Sequence, residues 1–222
     1  MQEHLPALLS ALVGDVFGLK EWAMGNLAGA GIAIAAQQLQ QRWLERARDI
    51  LLDELRQGDR TLTDPEVEQT VAVLQRYGRA AREGAARLNL RLMAKVIAGQ
   101  AQRGGLYADE FLRHADVIAG LRREEVVLLG TVHRHWNAAD VQPLERGRRQ
   151  QVTRDRARAD LVPVPFRDED DFYATAEAVT RTALLRTADG VEDDYMLFQP
   201  TRLLDELCDL APFEAAVRAE PE

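Results

Sequence analysis

Few side chains in this chain could act as nucleophiles. Ser10 is the only serine among the 222 residues, and it lies in an apolar, helix-like stretch without the G-x-S-x-G turn of serine hydrolases. Cys208 is the only cysteine, and an acidic neighbour such as Asp209 would raise rather than lower the pKa of its thiol. A lone cysteine also excludes an intrachain disulfide. The sequence therefore gives no support for covalent catalysis.

Side chains that could bind a metal ion occur in three places. His133 and His135 are two residues apart, and on a helix they would point roughly 200° apart, too far to share an ion. Carboxylates cluster at residues 168–171 and 192–194, but neither run matches the D-x-D-x-D-G calcium loop. The first run is explained by acids in the first turn of a helix, and the second by a solvated turn. We predict no metal, no cofactor and no enzymatic activity.

Four glycines form two GxxxG pairs that lie eleven residues apart. At ~100° per residue, all four would share one narrow face of a continuous helix. Because glycine destabilises a helix interior by about 1 kcal/mol relative to alanine, this face needs a compensating contact, and close helix–helix approach supplies one. Packing within one subunit, a homo-oligomer interface and membrane insertion all remain open. The candidate packing or oligomer face consists of Gly14, Gly18, Gly25 and Gly29.

An arginine-rich stretch lies where the apolar periodicity lapses, between Asp140 and Pro163. Its arginines could contact phosphates, but the stretch contains no aromatic residue, and Glu145, Asp155 and Asp160 dilute its charge. We expect a linker or a solvated polar helix rather than a nucleic-acid-binding arm. The candidate basic linker contains Arg146, Arg148, Arg149, Arg154, Arg156 and Arg158.

Composition and charge narrow the class of protein. Hydrophobic residues make up 46% of the chain and charged residues 29%, which excludes a disordered chain and a multi-span membrane protein. The net charge of -8 is unevenly spread, with +3 on residues 141–160 and -10 on residues 161–222. Nucleic acids and anionic lipids repel such an acidic end. The N-terminus lacks the basic start of a secretory signal, which predicts a cytoplasmic protein, and the charge-free run 22–41 is too polar for a stable membrane span.

Hydrophobic spacing predicts mainly helices. Thr63, Pro65 and Glu66 form a capping box with proline in the first turn, so a helix begins at residue 64 or 65. Apolar residues at alternating spacings of four and three continue this helix to about residue 104. Shorter helices are expected at about 107–119 and 122–136.

We therefore predict an all-α fold, mostly a helical bundle, with one small β-hairpin near residues 188–199. The chain divides into an N-terminal long-helix bundle at 1–140, an arginine-rich linker at 141–162 and a small acidic helical unit at 163–222. The last unit opens with a helix from about residue 168 to about residue 186, and a leucine-rich helix ends it.

The layout of the C-terminal part resembles the tail of a winged helix-turn-helix domain. A helix that ends at Thr187, a hairpin from Asp189 to Gln199 and a leucine-rich helix after Thr201 carry the likeness, which covers residues 122–210 at most. The resemblance implies a transcriptional regulator that contacts DNA. The helix before the hairpin begins with four acids, so a winged-helix domain here would suit protein contacts better than DNA.

The leading hypothesis is a non-enzymatic protein-interaction, scaffold or regulatory protein that self-associates. Its partner would be a second copy of the chain or another protein, and nucleic acid is the less favoured partner. Two alternatives stay open: a winged-helix-type transcriptional regulator, and an amphitropic, membrane-active helical protein that uses residues 5–36.

Overall fold

The computed structural model describes residues 30–55, 64–187 and 196–220. The chain forms two compact units, and the division falls between Ala119 and Gly120. The four glycines of the candidate packing face lie outside the described residues. No helix in the described ranges is both long enough and apolar enough to cross a membrane.

The described part of the first unit consists of helices. The central one is buried on most of its surface and packs against the other three. Polar contacts reinforce this packing, since Asn89 Nδ2 donates to the carbonyl oxygen of Ile118 over 2.9 Å and Tyr77 Oη donates to that of Ala47 over 2.8 Å. In chain order the helices are α1 (Ala30–Leu55), α2 (Asp64–Arg82), α3 (Arg87–Gln102, the central helix) and α4 (Ala108–Ala119).

Helix α2 begins at Asp64, where the capping box predicts it. The prediction that this helix continues to about residue 104 is wrong, because a second helix begins at Arg87. The chain turns at Glu83–Ala86, and Gly84 there has φ of +82°, a conformation that side chains rarely tolerate. The indole of Trp43 lies 3.5 Å from where a Cβ would stand on Gly84. The positive φ of this glycine therefore separates α2 from α3.

The second unit combines helices with one antiparallel hairpin. Leu185 pairs with Pro200, Arg186 with Gln199 and Thr187 with Phe198. Its described elements are α5 (Arg123–Trp136), α6 (Arg146–Leu161), α7 (Glu169–Val179), a 3-10 turn (Thr180–Thr182), β1 (Leu185–Thr187), β2 (Phe198–Pro200), α8 (Arg202–Leu210) and α9 (Phe213–Ala219). The prediction of an all-α fold with one small hairpin is confirmed.

Helix α5 is the centre of this unit and contacts α6, α7, α8, α9 and β2. Its buried residues include Val126, Leu129 and Val132, which are 0% exposed. Beside it, the ring of Phe172 lies 5.7 Å from that of Phe166 and 6.1 Å from that of Phe198, so one aromatic cluster joins α7, the turn before it and β2.

The arginine-rich stretch is a helix over most of its length. Residues 146–161 form α6, whose buried face contains Gln150, Thr153, Ala157 and Leu161. The sequence left open a linker or a solvated polar helix. The structure has a helix here, but one face of it is packed rather than solvated. Polar and small residues fill most of that face, which is why apolar periodicity did not reveal it.

Helix α7 ends earlier than the sequence predicts. It stops at Val179 instead of continuing to Arg186, and Ala183 adopts a left-handed conformation with φ of +58°. The chain reverses there and enters β1 at Leu185. Pairing with β2 thus overrides the helical pattern of the residues after 179.

Gly130 is a helical glycine at which an added Cβ would be packed more tightly than an ordinary contact. A Cβ there would lie 3.1 Å from Cγ of Glu214 and 3.3 Å from Cβ of Phe213, both on α9. We expect Gly130→Ala to lower the free energy of unfolding by about 1–2 kcal/mol through overpacking. Urea denaturation would measure the change.

Gly147 on α6 provides the matched control, because nothing lies within 4 Å of its added Cβ. Gly147→Ala should raise the stability by up to about 1 kcal/mol, the usual helix preference for alanine. Equal effects of the two substitutions would contradict the close approach of α5 and α9.

Candidate functional site

Ionisable side chains gather at both ends of α5, which makes this helix the place to look for chemistry. Glu125 lies in its first turn and has 0% exposure. His133, Arg134 and His135 lie in its last turn. The two ends differ in what their charges contact.

At the first end, two arginines and a backbone amide hold the carboxylate of Glu125. Arg181 binds it with both terminal nitrogens, with Nη1 2.6 Å from Oε1 and Nη2 2.9 Å from Oε2. The backbone N–H of Arg122 donates to Oε2 over 2.8 Å, and the Arg122 guanidinium lies 3.2 Å from Oε1. Arg181 also donates to the carbonyl oxygen of Gly120. The cluster fastens the 3-10 turn that contains Arg181 to the start of α5.

The surroundings of Glu125 decide its protonation. Burial alone would raise its pKa, but the hydrogen bonds from Arg181 and from the Arg122 backbone outweigh burial, and the pKa is lowered. The same pairing raises the pKa of Arg181. A carboxylate that stays ionised and is enclosed by cations suits a structural ion pair and not a proton donor near neutral pH.

At the last end, Arg134 links two neighbouring helices. Its Nη2 lies 2.8 Å from Asp160 on α6, and its Nε lies 2.7 Å from Glu214 on α9. His135 Nε2 lies 2.7 Å from the same Asp160 oxygen. The hydrogen bond from Arg134, followed by that from His135, lowers the pKa of Asp160 against the opposing effect of burial.

The two histidines face different helices. His133 Nε2 lies 3.3 Å from Asp205 on α8, whereas His135 contacts Asp160 on α6. Within the ranges that the structure describes, no three His, Cys, Asp or Glu side chains come together as a metal site requires. The two side chains serve as contacts between helices.

The six arginines of α6 are all engaged inside the second unit. The guanidinium of Arg149 stacks over the ring of Trp136 with its carbon 3.8 Å from the ring centroid, and it also donates to the Trp136 carbonyl oxygen over 2.7 Å. The other five have these partners: Arg146 with Gln199, Arg148 with Gln151, Arg154 with Asp155, Arg156 with Asp140 and Arg158 with Glu169.

The first acidic run lies at the start of α7. Asp168 is the N-cap, and its Oδ1 accepts the backbone N–H of Asp171 over 2.9 Å. This hydrogen bond is the main reason that the pKa of Asp168 is lowered. The run therefore caps the helix, whereas the second run, residues 192–194, lies outside the described residues.

Cys208 is buried on α8. Burial raises the pKa of its thiol to about 12, and the nearby carboxylates of Asp205, Asp209 and Glu214 add to the shift. Such a thiol stays protonated and is a poor nucleophile.

The sequence did not point to the pairing of Glu125 with Arg181. Glu125 in the third helical position is a capping-box signal, but Arg122 stands where Ser or Thr usually caps. Arg181 is 56 residues further on, and no periodicity links the two. No protein family matches this chain, and no curated protein or solved structure shows detectable similarity to it.

We expect Arg181→Ala to destabilise the second unit by about 2–3 kcal/mol, because it leaves the buried Glu125 carboxylate short of a cation. This range is below that of a fully buried pair, since Arg181 is 48% exposed. Urea denaturation at pH 7 would measure the loss. Arg202→Ala is the control, since Arg202 is 92% exposed and, within the described ranges, its ion pair is with Glu206 on its own helix, a contact worth less than about 1 kcal/mol.

The pH dependence of the stability loss caused by Arg181→Ala gives an independent check of the ion pair. The folded pKa of Glu125 lies below its ordinary value of 4.5, so the pair contributes stability above that pH and loses it as the pH falls through the lowered pKa. The gap between the wild type and Arg181→Ala should narrow in acid. A gap that is constant down to pH 2 would show that the loss comes from packing alone.

Cys208 should react slowly in the folded chain. With a pKa of about 12, we expect alkylation by iodoacetamide at pH 8 to be at least about 100-fold slower than in urea-unfolded protein. Mass spectrometry of timed samples would follow the modification. Equal rates in the two states would contradict the buried position of this thiol.

Proposed function

We propose that this chain is a non-enzymatic interaction protein that self-associates, with the second unit serving as a rigid, acidic binding module for another protein. The pairing of the α6 arginines is the observation that carries this proposal. It favours a protein-binding module over a nucleic-acid-binding one.

The arginines of α6 act as braces. Arg149 holds the end of α5 through Trp136, Arg146 reaches Gln199 on β2, and Arg158 reaches Glu169 at the start of α7. A guanidinium that is already bound within the unit contributes little to the counterion release that drives binding to phosphates. Part of the most basic stretch in the sequence is therefore used for internal cohesion.

The charges around α7 add to this argument. The helix presents Glu169, Asp170 and Asp171 in its first turn, and Glu177 is also exposed. An anionic duplex is repelled by such a surface, whereas a protein partner with basic residues is attracted to it. The second unit is thus better suited to a protein partner.

A second candidate function is transcriptional regulation by a winged-helix domain, and the order of elements favours it. Helices α5, α6 and α7 are followed by the hairpin of β1 and β2, which is the order of three helices and a wing. The exposed Arg186 on β1 could contact a duplex. The acidic start of α7, in the position of a recognition helix, weighs against this candidate.

Light scattering of the purified chain at about 50 mM and about 1 M salt tests the proposal, with the ratio of absorbance at 260 and 280 nm read in the same run. We expect a dimer or larger species that persists in high salt and contains no nucleic acid, because apolar contacts resist screening. Electrophoresis with a pool of random duplexes would provide the matching binding measurement, with no shift expected.

A monomer at all concentrations would overturn the self-association. Nucleic acid that copurifies and is released at high salt would overturn the protein-binding interpretation and favour the winged-helix regulator. The two parts of the proposal can therefore fail separately.

A further inference from the structure

Four charged residues form a stripe along the exposed side of α1. Arg42, Arg46, Asp49 and Asp53 follow one another at spacings of four, three and four, which places them on one side of the helix. All four are exposed. They also line an open groove of about 640 Å³ between α1 and α3. We call these four residues the charged stripe.

The charged stripe is complementary to itself when reversed. Two basic residues precede two acidic ones, and the spacing reads the same in both directions. If two copies of α1 lie antiparallel about a two-fold axis that crosses the stripe midway between positions 46 and 49, Arg42 faces the partner's Asp53 and Arg46 faces the partner's Asp49. A parallel arrangement would instead place like charges opposite each other. Two-fold symmetry is the commonest arrangement of homodimers and requires such a self-complementary surface.

Contacts among the described residues leave the stripe exposed. Among the described residues, neither Arg42 nor Arg46 forms an ion pair. Asp49 pairs with Arg48 over 3.2 Å and Asp53 pairs with Arg91 over 3.3 Å, but the two carboxylate side chains stay 68% and 62% exposed.

Apolar surface lies beside the stripe. Leu52, which is half-buried, also lines the groove, and Leu39 on the same helix is 46% exposed. Exposed ion pairs contribute little affinity, typically less than about 1 kcal/mol each, but they determine orientation and partner choice. Apolar contact in the groove would supply affinity, and the stripe would select the antiparallel register.

We propose that the charged stripe of α1 is a homodimer interface, which a second copy of this chain covers in antiparallel orientation. The inference rests on the self-association in the proposed function and specifies the surface that carries it. It concerns the first unit only and is independent of what the second unit binds.

Two charge-reversed variants test the interface. R42E/R46E makes the stripe entirely acidic, and D49R/D53R makes it entirely basic. We expect each variant alone to dimerise about 100-fold more weakly than the wild type, because like charges then face each other. An equimolar mixture should form a heterodimer, since every position again meets an opposite charge. Sedimentation velocity at about 50 mM salt measures the dimerisation of each variant alone and the formation of the heterodimer in the mixture.

The control is R79E/R82E, which reverses two exposed arginines on α2 outside the stripe and should dimerise like the wild type. Circular dichroism and thermal unfolding verify that each variant is folded. A variant that does not fold alone is replaced by its single substitution, R46E or D49R.

The outcomes separate this inference from the proposed function. If the wild type is monomeric, self-association itself fails, and the interface with it. If the wild type dimerises and both reversed variants dimerise equally well, the charged stripe is not the interface, although self-association stands. If each variant is monomeric but the mixture forms no heterodimer, the antiparallel pairing is wrong.

Discussion

The buried carboxylate of Glu125 is the constraint on which the second unit depends most. An ionised group with no exposure must be compensated, and two arginines and a backbone amide do so here. Because Arg181 comes just after α7, this compensation fixes where that helix ends relative to the start of α5. The chain enters β1 four residues later, so the ion pair also lies close in sequence to the hairpin. An apolar pair of similar volume could be equally stable, but it would lack the two parallel hydrogen bonds by which Arg181 and Glu125 orient the elements that carry them.

The same principle extends along α6. A helix with few large apolar residues has little hydrophobic reason to pack, yet α6 packs along α5. Arginine makes this possible, because its planar guanidinium can stack on a ring, as Arg149 does on Trp136, while donating hydrogen bonds in its own plane. Lysine could not do both. The unit is therefore held together by directional polar contacts around a smaller apolar core, which favours one defined arrangement of its helices.

The sequence was informative where local chemistry determines the structure. The capping box located the start of α2 at Asp64, and apolar spacing located α4 and α5 to within one residue. The break at Gly84 is also local, since a glycine with positive φ ends α2, but the regular apolar spacing on either side hid it. The sequence was misleading where a distant contact determines the result, as at the early end of α7, after which β1 pairs with β2. The partner of Glu125 could not be predicted for the same reason, since nothing local distinguishes Arg181 from the other arginines.

Arginine has two different roles in this chain, and only the structure separates them. On α6 each guanidinium has a partner within the second unit, and three of them pair with carboxylates, so much of the charge of this basic run is balanced internally. On α1, Arg42 and Arg46 extend from an exposed helix whose acids lie one and two turns further along. Such a charge pattern can pair with a second copy of the chain only when all of its residues lie on one exposed face of the helix. Exposure therefore turns a symmetric sequence pattern into a surface that can specify both a partner and its orientation.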